Sequence, residues 1–140
     1  MDMVDIKKIL PHREPFLFVD DITSISKKSA DGYHEVKEDE FWTKGHFPGN
    51  PIFPGVILLE LMAQVGGFVF VDDINGGTFA YLSKVDDLKY SQKVLVGDKI
   101  EVHAELEDRF GDYAKVRTVA RVKGRKVASG SITYTFLRQL

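Results

Sequence analysis

The chain has 140 residues, of which 44% are hydrophobic and 29% are charged, and its formal net charge is −2. This composition supplies enough apolar material for one folded domain over residues 1–140 and argues against intrinsic disorder. The chain has no cysteine, which excludes a disulfide framework, a thiol nucleophile and a thiolate metal site. The start of the chain lacks the charged and then apolar pattern of a secretion signal, so we expect a cytoplasmic protein.

The N-terminal part of the sequence predicts a short helix followed by a β-hairpin. Residues 5–10 are expected to form a helical turn that ends at Pro11, and residues 15–26 are rich in strand-forming side chains. The sequence ADG at 30–32 predicts a turn, after which YHEVKE at 33–38 would pair back as the second strand.

A proline-rich loop precedes the most apolar segment of the chain, and its prolines restrict the backbone. Residues 38–55 have no sustained periodicity and contain three prolines that rule out a regular helix or a central strand: Pro48, Pro51 and Pro54. Residues 55–71 are apolar on nearly every face, which predicts one long buried helix. Glu60 and Gln64 interrupt this segment, and it is short for a membrane span, so we expect no membrane insertion.

The second half of the chain predicts strands that are joined by short turns, which indicates an antiparallel sheet. These strands are TFAYLSKVDDLKY (78–90), KIEVHAELEDR (99–109), YAKVRTVARVK (113–123) and VASGSITYTFL (127–137). In the second and third of them, apolar and polar residues alternate, so each strand should have one buried face. One buried helix against an antiparallel sheet is an α+β arrangement.

A thin polar stripe is expected along the buried helix, because Glu60, Gln64 and Gly67 share one face at helical spacing. Burial of an ionised carboxylate is costly, so burial raises the pKa of a carboxyl group and favours its neutral form. A carboxylic acid that stays neutral can donate a proton or a hydrogen bond near pH 7. Glu60 could instead belong to a structural hydrogen-bond network or extend its side chain to solvent.

His46 opens the proline-rich loop and is a candidate general base, although a histidine here could also fill a packing gap. Gly55 and Val56 begin the predicted helix. The first amides of a helix lack partners within it, and the helix dipole is positive at this end. These amides could polarise a carbonyl oxygen, or the preceding loop could cap them.

Other features of the sequence argue against several functions. His12, His34 and His103 are far apart and show no metal-ligand spacing, so we expect no metal site. Neither a glycine-rich nucleotide fingerprint nor a G-x-S-x-G elbow is present. From Tyr113 to Leu140 there are seven basic residues and no acidic one, a pattern typical of a docking surface for an anionic partner or of a solvated sheet face. Interleaved aromatic residues are absent from the basic strand at 115–123, so nucleic-acid binding is not favoured.

Two segments resemble the β-hydroxyacyl-acyl-carrier-protein dehydratases (FabZ type) of bacterial type II fatty acid synthesis: LPHREPFLFVDDI (10–22) and GHFPGNPIFPGVILLELMAQ (45–64). Weaker similarity continues through YLSKVDDLKY and VLVGDKIEV, so the resemblance covers nearly the whole chain. It implies a hot-dog fold, in which an antiparallel sheet wraps a long central helix. It also implies a homodimer, which in many members assembles further into a trimer of dimers.

The resemblance implies a role for individual residues. His46 and Glu60 would be the catalytic pair, with one of them from each subunit of the dimer, and they would convert (3R)-3-hydroxyacyl thioesters into trans-2-enoyl thioesters. The amides of Gly55 and Val56 would face the thioester carbonyl, and Gln64 would support the acid. The expected walls of the acyl tunnel are Phe53, Leu61 and Tyr81.

The resemblance leaves several activities open. Relatives that also isomerise the double bond typically have aspartate at the position of Glu60, which favours the plain dehydratase, although some relatives with glutamate isomerise as well. Hydration of enoyl-coenzyme A, thioester hydrolysis and a non-catalytic acyl-carrier-binding module also stay open.

The implied partner is acyl carrier protein, which is acidic. Basic side chains would steer its approach through electrostatic attraction. The candidate residues are Lys89, Lys93, Arg121, Lys123 and Arg125.

Overall fold

The computed structural model describes residues 5–70 and 78–138. Two helices occur in these ranges, α1 (Ile6–Ile9) and α2 (Gly55–Gly67), and a 3-10 turn at Phe68–Phe70 follows α2. The strands are β1 (Asp21–Ile25), β2 (Ser29–Glu35), β3 (Thr78–Tyr90), β4 (Lys99–Phe110), β5 (Tyr113–Val122) and β6 (Arg125–Arg138).

The six strands form one antiparallel sheet in the order β1-β2-β4-β5-β6-β3. Helix α2 packs against β2, β4 and β5 in the middle of this sheet, and all its residues from Leu61 to Gly67 are buried. The predicted α+β class is therefore confirmed, and the central helix against an antiparallel sheet is the hot-dog fold. Among the described residues, no helix has the length and apolar character that crossing a bilayer requires.

The alternation that the sequence predicted for β4 and β5 is confirmed. The inward face of the two strands is apolar apart from Thr118, whose hydroxyl donates a hydrogen bond to the Gly130 carbonyl at 2.9 Å. The paired inward residues include Val102 with Ala120 and Leu106 with Val116. The sheet can therefore cover the helix with few polar groups to satisfy.

The predicted bounds of the N-terminal hairpin were wrong, and its first strand is Asp21–Ile25 rather than 15–26. The turn expected at 30–32 lies inside β2, where Ala30 and Gly32 pair with Ala104 and Val102 of β4. The turn lies instead between β1 and β2, where the Ser29 amide donates a hydrogen bond to the Ser26 hydroxyl at 3.1 Å. A glycine inside the strand suits the packing at position 32, since a Cβ there would lie 2.7 Å from the Ile22 side chain.

The predicted helix 55–71 ends at Gly67, because Gly66 and Gly67 have low helix propensity, and the chain then tightens into the 3-10 turn. The last predicted helical residue, Val71, lies outside the described residues. Gly66 has a further reason to lack a side chain. Tyr134 of β6 donates a hydrogen bond to the Ala63 carbonyl at 2.7 Å, and its hydroxyl occupies the space that a Cβ on Gly66 would need.

We predict that Gly66→Ala lowers the free energy of unfolding by about 1–3 kcal/mol, the usual cost of overpacking a core. The added methyl would displace the buried Tyr134 hydroxyl and strain its hydrogen bond to the helix. Urea denaturation measures this change.

Gly67→Ala is the matched control for this prediction. A Cβ at Gly67 would meet only the Leu10 side chain, at an ordinary contact distance of 3.4 Å. We expect this variant to be neutral or slightly stabilised, because alanine favours a helix over glycine. Equal destabilisation of the two variants would contradict the packing argument.

Candidate active site

The loop between β2 and α2 holds His46 by its backbone and by its ring. The His46 amide donates to the Trp42 carbonyl at 2.9 Å, and the ring nitrogen Nδ1 lies 2.8 Å from the Ile52 carbonyl oxygen. Because a carbonyl can only accept, Nδ1 carries the proton in this contact. In the neutral ring, the lone pair is therefore on Nε2, which is the atom available to take up a proton.

The end of the same loop is anchored in the core. The Phe53 amide donates to the Val94 carbonyl at 2.8 Å. The Phe53 ring packs edge-on against Trp42, with centroids 5.2 Å apart, and lies 5.7 Å from the ring of His34. Phe53 is thus almost wholly buried, and it holds Ile52 where its carbonyl meets His46.

His46 lines a surface cleft, called here the His46 cleft. Its other lining residues include Phe53, Gly55, Tyr90 and Lys93. Helix α2 begins at this cleft without a side-chain cap. Within the described residues, the Gly55 and Val56 amides have no acceptor, whereas those of Ile57 and Leu58 donate to the Pro54 carbonyl. The Gly55 amide is therefore available to an oxygen that binds at the cleft, and the Val56 amide is the next along the helix start.

Tyr90, which the sequence did not single out, fixes this helix start. Its hydroxyl donates to the Gly55 carbonyl at 2.7 Å, and its ring lies so close to Gly55 that a Cβ there would be 3.1 Å from a ring atom. No local pattern reveals this contact, since Tyr90 ends strand β3 and is far along the chain from the helix start that it meets.

Glu60 opens into a different cavity, called here the Glu60 cavity. The polar stripe predicted for the helix is present, because Glu60, Gln64 and Gly67 all line this cavity. The other lining residues come from the segment before β1, from helix α2, and from strands β3 and β6: Leu10, Pro11, His12, Ala63, Ala80, Tyr81, Leu82 and Tyr134.

Burial raises the pKa of the Glu60 carboxyl group, and the neighbouring Gln64 side chain lowers it by less. Burial, together with the negative charge of Glu60, raises the pKa of the adjacent Tyr134, so the phenol stays protonated. The sequence-based expectation of an acid that favours its neutral form therefore has a physical basis in this cavity.

The Gln64 side chain binds the backbone of a neighbouring segment. Its Oε1 accepts the Phe18 amide at 2.9 Å, and its Nε2 donates to the Phe16 carbonyl at 2.8 Å. Both ends of the amide are thus bound to the segment that leads into β1. This places the Gln64 side chain firmly beside the acid.

His12 also lines the Glu60 cavity, although no pattern in the sequence favoured it over the other histidines. Its ring stacks on Phe16, and its Nδ1 is buried with no hydrogen-bond partner among the described residues. Burial, reinforced by the charge of Arg13, lowers the pKa of His12, so the ring is neutral over a wider pH range than a free histidine.

The three predicted tunnel residues occupy different surroundings. Tyr81 lines the Glu60 cavity and is about half exposed, whereas Phe53 lines the His46 cleft. Leu61 is fully buried in the core.

The predicted partner-binding residues are spread over the surface. Lys93 lines the His46 cleft, Lys89 lines the adjoining groove, and Arg121 lines a groove with His103 on another part of the sheet. Lys123 and Gly124 form the turn between β5 and β6, both with positive φ, and Arg125 follows.

The His46 cleft and the Glu60 cavity have no lining residue in common. Within one chain, the two predicted catalytic groups are therefore not in one cavity. Across residues 5–70 and 78–138, no cluster of three histidine or carboxylate side chains has the arrangement of a metal site.

We predict that the stability of the wild-type protein relative to Glu60→Gln falls as pH rises above 4.5, the ordinary pKa of a glutamate. The raised pKa means that the folded state binds the proton more tightly than the unfolded state does. The resulting stability is complete at low pH and is lost as pH rises through the folded pKa. Urea denaturation of both proteins at several pH values measures the difference, and a pH-independent difference would contradict the raised pKa.

Comparison with known proteins shows the family of the chain. The family model of FabA-like domains matches residues 10–131. The 3-hydroxyacyl-[acyl-carrier-protein] dehydratase FabZ of Bacillus velezensis is 36% identical over 136 residues, which are 96% of each chain. The protein of the same name from Rhizobium rhizogenes is 39% identical over 140 residues, or 99% of this chain and 89% of that one.

Solved structures with low sequence identity share the fold. The dehydratase heterocomplex ApeI:P from Xenorhabdus doucetiae matches with a TM-score of 0.83 at 14% identity, over 97% of this chain and 93% of that one. The protein smu.793 from Streptococcus mutans, bound to acetyl CoA, matches with a TM-score of 0.70 at 18% identity, over 93% of this chain and 98% of that one. The family model and the nearly full-length relatives together show that the chain belongs to the FabA-like family and, within it, to the FabZ-type dehydratases.

Proposed function

We propose that this protein is a (3R)-3-hydroxyacyl-[acyl-carrier-protein] dehydratase of fatty acid biosynthesis, a hydro-lyase that forms trans-2-enoyl-acyl carrier protein. The observation that carries the proposal is the nearly full-length similarity to FabZ dehydratases in a chain that has His46 in one cleft and Glu60 in a separate cavity. The reaction as written needs no cofactor, and its setting would be the cytoplasm.

The proposed catalytic site forms between two copies of the chain. Strand β3 is at one edge of the sheet. Tyr81 and Leu82 near its start line the Glu60 cavity, while Tyr90 at its end lines the His46 cleft. If two β3 strands pair antiparallel, the start of one strand lies beside the end of the other. This pairing would bring His46 of one copy to Glu60 of its partner.

His46 is the proposed base. The Ile52 carbonyl holds the Nδ1 proton, so Nε2 can remove the proton on C2 of the acyl group. The electron pair left on C2 moves toward the thioester, and negative charge grows on the carbonyl oxygen. The amides of Gly55 and Val56, held by the Tyr90 contact, would stabilise that charge.

Glu60 is the proposed acid. Hydroxide is a poor leaving group, so the C3 hydroxyl must leave as water with a proton from a neutral donor. The buried Glu60 carboxyl group, with its raised pKa, supplies that proton as the C3–O bond breaks and the C2–C3 double bond forms. The Glu60 cavity would receive the acyl chain, with Tyr81 at its exposed end.

We predict that His46→Ala and Glu60→Gln each lower kcat by about 10²–10⁴-fold, the usual contribution of general acid–base catalysis. In a site shared between subunits, a heterodimer of the two variants still contains one intact pair. Random reassociation should then restore about a quarter of wild-type activity, since half of the dimers are mixed and each has one working site.

Each variant taken through the same reassociation alone is the control and should stay inactive. A mixture as inactive as its components would contradict the shared site, and a variant with full turnover would contradict the catalytic assignment. Product identification with a hydroxyacyl carrier protein distinguishes the other activities: a 3-enoyl product indicates isomerisation, and a free acid indicates hydrolysis.

The proposed partner, acyl carrier protein, is acidic and would approach the His46 cleft. Lys93 lines this cleft, and Lys89 lies in the adjoining groove with Arg117 and Lys126. Long-range attraction would also come from the end of the β5–β6 hairpin, through Arg121, Lys123 and Arg125. The functional unit is proposed to be a homodimer, which can assemble into a trimer of dimers.

We predict that Lys93→Glu lowers kcat/KM for a hydroxyacyl carrier protein by about tenfold at low ionic strength and weakens its salt dependence. The same change should leave turnover of a short hydroxyacyl thioester without carrier protein nearly unaffected. Arg121→Glu is the matched control, because its side chain lies in the groove with His103, and we expect it to have the smaller effect. Equal loss with both substrates would show that Lys93 acts in the chemistry rather than in docking.

A further inference from the structure

A buried histidine outside the site sits between two carboxylates. The ring of His34, on β2, is only 8% exposed. Its Nδ1 is 3.0 Å from Oδ1 of Asp20, and its Nε2 is 2.9 Å from Oε1 of Glu40. A neutral imidazole has one N–H and one lone pair, so it can donate to only one of these oxygens. The geometry on both sides is therefore that of a doubly protonated, positively charged ring.

The surroundings support the charged form. Burial alone lowers the pKa of His34, but the hydrogen bonds and charges of Asp20 and Glu40 outweigh it and raise the pKa overall. The same pairing lowers the pKa of Asp20 against the effect of its own burial, helped by the Glu35 amide and the charge of Lys37. Two uncharged rings also contact this cluster: the Trp42 indole, which binds Glu40, and the Phe53 ring, which packs against His34. On the adjacent β4, the Lys99 ammonium group lies over the Tyr33 ring.

Glu40 connects this cluster to the loop that carries His46. The Oε1 atom that meets His34 also accepts the Trp42 indole N–H at 3.0 Å, while Oε2 accepts the Lys37 amide. The Trp42 carbonyl in turn accepts the amides of Gly45 and His46, at 3.1 and 2.9 Å. A short series of hydrogen bonds thus leads from the His34 ring to the His46 backbone.

A second contact leads to the His46 ring. Phe53 packs against both His34 and Trp42, and the preceding residue, Ile52, provides the carbonyl that binds His46 Nδ1. Both attachments of His46 therefore come from residues that contact His34 or Glu40, or directly adjoin one that does. The loop contains no helix or strand, and its other attachments near Ile52 are the isolated bridge to Leu95 and the Phe53 amide bond to the Val94 carbonyl.

We propose that His34 is a positioning residue. Its positively charged ring binds both Asp20 and Glu40, which fixes the loop that carries His46 and makes the placement of His46 sensitive to pH. The inference rests on the proposed role of His46. When His34 loses its proton, one ring nitrogen presents a lone pair to a carboxylate oxygen about 3 Å away. The repulsion releases Glu40 or Asp20, and the loop loosens. The pKa of His34 is raised in the folded state. The charged ring therefore binds both carboxylates below the ordinary histidine pKa of about 6.5, and this arrangement is lost as pH rises through the pKa of His34 in the folded protein.

Trp42 is the only tryptophan of the chain, so its fluorescence reports on this cluster without any assay of activity. The first experiment follows Trp42 emission and the His34 ring signal in NMR spectra of the wild-type protein as pH rises. We expect them to change together. Constant emission while His34 titrates would overturn the proposal, and this test needs no variant.

The second experiment compares variants in the dehydratase assay. His34→Lys keeps a positive charge with several donors up to high pH, whereas His34→Gln keeps polarity without charge. We expect His34→Gln to lower kcat by about 10- to 100-fold with little change in KM, as for a misplaced catalytic group. Ionisation of Glu60 also affects the rate at high pH, but wild type and His34→Lys share that effect. The ratio of wild-type kcat to His34→Lys kcat should therefore fall as pH rises.

His103→Gln is the matched control. The His103 ring also lies between two carboxylates, at 2.7 Å from Asp31 and 3.1 Å from Glu105, and its pKa is raised by them against the effect of burial. It lies on β4, away from the His46 loop, and is more accessible than His34. We expect this variant to keep the wild-type kcat and Trp42 titration.

The outcomes separate this inference from the proposed function. A constant ratio of kcat between wild type and His34→Lys, or wild-type kcat and emission in His34→Gln, would overturn the positioning role while leaving the dehydratase assignment intact. Absence of dehydratase activity together with a Trp42 titration that follows His34 would count against the proposed function and support the link between His34 and the loop.

Discussion

The packing of helix α2 against β2, β4 and β5 is the constraint on which the rest of the structure depends. It fixes the direction of the helix, so that Gly55 reaches the surface at the His46 cleft while Glu60 and Gln64 face a partly closed cavity. The same burial that stabilises the fold through its apolar side chains raises the pKa of the one carboxyl group on the helix. Core formation and the raised pKa of Glu60 thus have a common physical origin.

The loop before the helix has to be held by other means, because its prolines and irregular backbone give it no ladder of hydrogen bonds. Individual contacts replace that ladder: the Val94 carbonyl at Phe53, the Trp42 carbonyl at His46 and the Tyr90 hydroxyl at Gly55. The cluster of His34, Asp20 and Glu40 adjoins these contacts through Trp42 and Phe53. Its one positive ring lies between two carboxylates, and such a buried network orders its neighbours only while every partner is satisfied.

The edge strand β3 connects the architecture to the proposed chemistry. An unpaired strand edge is a site for pairing with another chain, and the two ends of β3 border the two cavities that hold His46 and Glu60. Within a single chain, the two proposed catalytic groups lie in separate cavities and are not brought together. Dimer formation would pair the backbone groups at the edge of β3 and would also complete the proposed site.

Local periodicity was enough to predict the α+β class, the buried helix, the antiparallel strands with their inward faces, and the polar stripe of Glu60, Gln64 and Gly67. The sequence motif also identified the family, whereas the catalytic pairing of His46 with Glu60 stays a prediction. Contacts between distant segments had to come from the tertiary structure: the pairing of Ala30 and Gly32 that overrode a predicted turn, the Tyr90 contact at Gly55, the place of His12 beside Glu60 and the ion cluster around His34. In each case the partners are separated along the chain or meet by side-chain geometry, and residue spacing carries no record of such contacts.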